Sequence, residues 1–136
     1  VRLEKDGAVA RLLIDRPEVR NAINMAMWET FPSLIRDAVD DPGIRLLEVR
    51  AADGSRAFCA GADIKELLAN RDDSSWREAN QAEINRVQHE LARVSLPTVA
   101  FIDGDCVGGG CGLALACDIR VATPRARFGI TPGKLG

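Results

Sequence analysis

Apolar and polar positions alternate at the start of the chain and then change period, and that change is the first guide to the fold. Val1 to Glu4 and Ala8 to Ile14 predict two strands across Asp6-Gly7, a dipeptide suited to a tight hairpin. Trp28, Phe31, Ile35, Ala38 and Val39 then recur at threes and fours, which predicts a helix from about Asn24 to Asp40 with one apolar face. Asn24 suits its N-cap, and Pro32 inside the pattern predicts a kink or a delayed regular start.

Ile44 to Ala52 predicts the next strand, with Leu46, Leu47 and Val49 forming an apolar run suited to a mostly buried sheet. A small-residue loop, Phe58 to Asp63, leads into a short helix or turn over Ile64 to Leu68. Ser75-Trp76-Arg77-Glu78 reads as a capping box opening a helix, along which Ala79, Glu83, Val87, Leu91 and Val94 keep helical spacing up to Ser95. Ile84 stands ready to pack where Glu83 interrupts the apolar face, and His89 falls off that face, toward water. Thr98 to Ile102 and Ile119 to Ala122 complete the strands. The order predicts one α/β domain over residues 1–136, with parallel pairing and right-handed crossovers.

One stretch fits neither period. Between the Thr98 strand and the next element lies Gly104-Asp105-Cys106-Val107-Gly108-Gly109-Gly110-Cys111-Gly112, followed by residues small enough for a closely packed helix. Three consecutive glycines there permit positive φ and leave no Cβ between backbone and ligand. The first N–H groups of a helix lack intrahelical partners and sit at the positive end of its dipole, so such a turn suits an anion or a developing negative oxygen. No Gly-Lys-Ser/Thr follows, which excludes a P-loop, and the glycine spacing does not give the dinucleotide fingerprint.

Composition narrows the ligand. The 136 residues are 46% hydrophobic with a formal net charge of -2, and without a basic run or aromatic ladder nucleic acid is not an expected partner. No segment approaches the ~20 apolar residues of a membrane span, and the amino-terminal residues lack a signal-peptide core, so a cytoplasmic or organelle-matrix location is expected. Four cysteines without Cys-x-x-Cys spacing, and a single His, predict reduced packing residues and no metal.

The motifs acquire a meaning together. Arg16-Pro17 with Arg20-Asn21-Ala22-Ile23-Asn24, then Ala57-Phe58-Cys59-Ala60-Gly61-Ala62-Asp63-Ile64, then Pro97-Thr98, Gly108-Gly109-Gly110-Cys111 and Cys117-Asp118-Ile119, through Phe128-Gly129, resemble the crotonase (enoyl-CoA hydratase/isomerase) superfamily. The resemblance covers essentially the whole chain but about the first half of a typical member. It implies a ββα spiral core whose C-terminal, oligomer-forming part lies outside these residues, and a homotrimer or hexamer at full length. It also implies an acyl-CoA thioester as substrate, with coenzyme A part of the substrate rather than a separate cofactor. By motif position the main-chain N–H groups of Ala62 and Gly109 would hold the thioester oxygen as an enolate develops. Ala60, Gly61, Asp63 and Ile64 would wall the CoA, Arg20 and Ala22 would line its nucleotide side, and Gly108, Gly112 and Pro132 would also bind the substrate.

The pattern breaks where hydratases keep their acid and base. The two family glutamates match Gly112 and Pro132 here, and neither residue exchanges a proton near neutral pH. Asp103 and Asp105 are the nearby carboxylates, Asp103 at a position suited to a structural role. The resemblance therefore implies isomerase, hydrolase, decarboxylase or other lyase chemistry on an acyl-CoA ahead of efficient hydration, with a non-catalytic acyl-CoA binder or scaffold as the alternative.

Overall fold

The computed structural model describes residues 1–130. Strands β1 (Arg2–Asp6) and β2 (Val9–Ile14) form the expected antiparallel hairpin. Asp6 pairs with Val9, so the turn is Gly7-Ala8, with Gly7 at φ 57° in the first central position that such two-residue turns reserve for glycine. β3 (Leu46–Ala51), β5 (Thr98–Ile102) and β7 (Ile119–Ala122) add in parallel, giving the order β1-β2-β3-β5-β7. A second, parallel sheet holds three short strands, β4 (Ala57–Cys59), β6 (Asp105–Val107) and β8 (Arg127–Gly129).

The helices are α1 (Met25–Val39), α2 (Ile64–Ala69), α3 (Ser74–Arg93) and α4 (Gly109–Ala116). None of the described helices is long and apolar enough to cross a membrane. The predicted face of α1 is the one buried: Trp28, Phe31, Ile35 and Ala38 join Leu12, Ile14, Leu47, Val49, Ala100, Ile102, Val87 and Leu91 in one core. Asn24 caps α1 by accepting from the Met27 N–H. Helix α1 starts on time and runs through Pro32, whose ring is buried against the core; its missing N–H removes one intrahelical bond without ending the helix.

Two expectations need correction. The cap of α3 is Asp73, not Ser75: the Asp73 carboxylate accepts from the Trp76 N–H at 3.0 Å and from the Ser75 hydroxyl at 2.7 Å, bonds that lower its pKa. A carboxylate is the stronger acceptor at the positive end of a helix. Ala79 is exposed, and the packing of α3 comes from Ile84, Val87 and Leu91. The middle strands of the five-stranded sheet are also buried chiefly on one face, and β7 is exposed throughout. Leu47 and Val49 enter the core, whereas Glu48 and Arg50 point the other way, where Arg11 bonds Glu48 at 3.1 Å and Arg50 lies 5.0 Å over the Phe101 ring.

Sequence motifs far apart are joined at the sheet ends. Asp118 accepts from the Thr98 N–H at 2.8 Å and the Thr98 hydroxyl at 3.0 Å, while the Asp118 N–H donates back to Thr98 Oγ1 at 2.8 Å. This clasp aligns the start of β7 with β5, and α4 between them is thereby fixed over the sheet.

Candidate functional site

The two small-residue turns leave the same end of the three-stranded sheet, one after β4 and one after β6. They touch: a Cβ built on Gly61 would lie 3.2 Å from the Val107 carbonyl oxygen, and one on Gly108 would lie 3.9 Å from the Gly61 Cα. Gly61 has φ 98° and Gly108 φ 52°, so neither place admits a side chain without strain.

The first turn is wired from the loop that precedes α1. Asn21, fully buried at φ 58°, donates to the Ala57 carbonyl at 2.8 Å and to Ser55 Oγ at 2.9 Å, and accepts from the Arg16 N–H at 2.8 Å. The Ala60 N–H donates to the Arg20 carbonyl. Ile23 then pairs with Ala62 as an isolated parallel bridge: the Ile23 N–H donates to Gly61 at 2.8 Å, and the Asp63 N–H donates to Ile23 at 3.1 Å. In that pattern the groups flanking Ala62 face Ile23, so the N–H of Ala62 itself faces the opposite edge. Among the described residues it donates to nothing.

The second turn reaches the same condition differently. The Gly108 N–H is taken by the Gly129 carbonyl at 2.9 Å, which ends the pairing of β6 with β8. Gly109 is the first residue of α4, its N–H precedes the helical ladder, and it too donates to nothing among the described residues. Gly109 packs against Trp28, where a Cβ would stand 3.1 Å from the indole, and Gly110 packs on Cys59, where a Cβ would stand 2.7 Å from that side chain. Burial pushes the Cys59 thiol up to about 12, so it is an un-ionised packing group. All four cysteines are buried and free.

The remaining predicted residues divide. Asp63 caps α2, accepting from the Lys65 N–H at 3.0 Å and the Glu66 N–H at 3.3 Å, and its carboxylate is gripped by Arg16 at 2.7 Å. Arg16, then the two amides, hold Asp63 below the usual carboxylate range. Ile64 begins α2 half exposed, close beside Ala62, and Leu68 one turn on is exposed as well. Ala22 is buried, with its carbonyl taken by Arg16. Arg20 keeps its backbone at the first turn, but its guanidinium ion-pairs with Asp105 at the opposite end of β6, where Arg127 bonds the same carboxylate at 2.8 Å. Asp103 is likewise taken, by Thr123 at 2.6 Å and by Arg125, an arrangement that lowers its pKa. Both aspartates are thus structural anchors, Asp103 ahead of β6 and Asp105 at its first residue, whereas Gly109 follows the strand. Pro132 lies outside the described residues.

Gly112 is one helical turn beyond Gly109, and Gln88 of α3 lies against it. Gln88 did not stand out in the sequence, although its spacing of four from Ile84 places both on one face of α3.

The model of the family described as enoyl-CoA hydratase/isomerase matches residues 9–136. The chain belongs to that family. It is 35% identical over 140 residues to a short-chain-enoyl-CoA hydratase of Clostridium acetobutylicum, covering 96% of this chain and 52% of that protein. A crotonyl-CoA hydratase of Syntrophomonas wolfei is also 35% identical, with 96% and 52% covered. A crystal structure of an enoyl-CoA hydratase/isomerase family protein from Hyphomonas neptunium superposes with a TM-score of 0.95 at 38% identity, over 99% of this chain and 51% of that one. The architecture is therefore that of the crotonase fold without its C-terminal part, and the chain spans about half the length of the curated relatives it matches.

Proposed function

We propose that the chain supplies the oxyanion-stabilising half of an acyl-CoA site, in which the Ala62 and Gly109 amides hold the thioester carbonyl while a base supplied from outside the described residues takes a proton from the α-carbon. The observation that carries this reading is the pair of N–H groups, unpartnered among the described residues, on two touching turns. A carbonyl oxygen placed between them accepts both bonds, and the charge it gains as the α-carbon loses its proton strengthens both. Exposed Ile64 and Leu68 offer apolar wall for the pantetheine arm, and the half-exposed Arg20 retains donors for a phosphate.

Gly112 supplies no proton, and Asp103 and Asp105 are committed to arginines, so hydration with the family's glutamate pair is not the expected reaction. Isomerase, hydrolase or other lyase chemistry on the enolate is. Butyryl-CoA in deuterated buffer tests the claim: binding with deuterium entering the α-carbon supports it, binding without exchange favours the non-catalytic binder, and no binding overturns both. Replacing the peptide bond before Gly109 by an ester, with glycolic acid at that position, probes the donor itself. The N–H goes and no Cβ is added against Trp28, so the exchange rate should fall by about 10²–10³ while the fold persists.

A further inference from the structure

The space in which a side chain at residue 112 would project is already occupied. A Cβ built on Gly112 would lie 2.2 Å from Nε2 of Gln88, 2.8 Å from its Cδ and 3.3 Å from its Oε1. In a helix the Cα–Cβ bond leans toward the N-terminus, so the position that Gln88 fills overlies the turn of α4 that begins at Gly109. Gln88 is half-buried, and its carboxamide makes no hydrogen bond to any described residue. No residue of α4 carries a side-chain oxygen or nitrogen that could bond it.

We infer that Gln88 is a specificity-determining residue whose carboxamide donates to a keto or hydroxyl oxygen on the acyl chain, close to the thioester. The inference rests on the acyl-CoA reading above. A carboxamide neither gains nor loses a proton near neutral pH, so Gln88 positions an oxygenated acyl group and does not serve as an acid or base. A glycine at 112 is what allows it: any larger residue there drives the carboxamide away from the first turn of α4. The preference that results is for acyl chains carrying an oxygen over their saturated counterparts, because an amide left unpaired against an all-carbon chain loses its water for nothing.

The test is the ratio of affinities for acetoacetyl-CoA and butyryl-CoA, measured by calorimetry on the full chain. The expected ratio favours acetoacetyl-CoA by about five- to tenfold, the worth of one hydrogen bond. Gln88→Leu should bring the ratio to about one. Gly112→Ala should do the same while leaving Gln88 in place, since its Cβ displaces only the flexible end of that side chain. Gln88→Glu should invert the ratio through repulsion between carboxylate and keto oxygen. A packing role alone would change melting temperature without moving the ratio. A wild-type ratio of one, or a ratio unmoved by both Gln88→Leu and Gly112→Ala, overturns the assignment with the acyl-CoA reading intact. Failure of both esters to bind overturns that reading and this one together.

Discussion

The turn after β4 and the turn after β6 each leave one amide without a partner among the described residues, yet opposite means hold them. The first is fastened by polar side chains: Asn21 grips the end of the Ser55–Ala57 segment, Arg16 grips Asp63, and Asp63 grips the start of α2. The second is fastened by missing side chains, since Gly110 brings α4 against Cys59 at a distance no Cβ permits and Gly109 brings it to the Trp28 indole at a distance few Cβ atoms reach. A turn held by hydrogen bonds loses stability in increments and responds to pH. A turn held by close approach fails outright or not at all.

The largest expected effect therefore lies in the glycine turn. Gly110→Ala places a Cβ 2.8 Å from the Cys59 carbonyl oxygen, which is backbone and cannot swing aside, so unfolding free energy should fall by more than about 3 kcal/mol. Denaturant titration measures it, and a loss below about 1 kcal/mol would mean that the two turns are not in rigid contact. Next comes Asn21→Ala, which removes one of two side-chain donors to the Ala57 carbonyl, leaves the Arg16 N–H without its partner and puts alanine at positive φ. About 2 to 3 kcal/mol should be lost by the same titration.

Asp63→Asn is smaller, about 1 kcal/mol near neutral pH, because asparagine still caps α2 and only the ion pair with Arg16 goes. Its interest is the pH dependence. Arg16 depresses the Asp63 pKa in the folded chain, so the contribution is complete above the ordinary carboxylate range and fades as pH falls through the lowered value. The stability difference between wild type and Asp63→Asn should shrink in acid, and a difference constant from pH 7 to pH 3 would break the proposed role of the pair. Smallest is Gly112→Ala, a glycine of the same helix that only a flexible side chain opposes. Stability should rise by up to about 1 kcal/mol, opposite in sign to Gly110→Ala three ångströms of helix away.

Much of this was legible along the chain. The apolar face of α1, its Asn24 cap, the hairpin and the two glycine-rich turns are local properties, set by side-chain period and by which residues tolerate positive φ. The three-stranded sheet was not, because β4, β6 and β8 are three residues each and too short to show a period. Nor was the capture of Arg20 by Asp105, or the seat of Gln88 beside Gly112, since both join residues more than twenty positions apart.

By itself, then, the sequence determined where the chain turns and which turns are bare of side chains. Only the tertiary structure decided that the Ala62 and Gly109 amides have no partner among the described residues. Whether an N–H has a partner depends on strand register across the whole chain, Ile23 against Ala62 and Gly129 against Gly108, and no window of neighbouring residues contains that information.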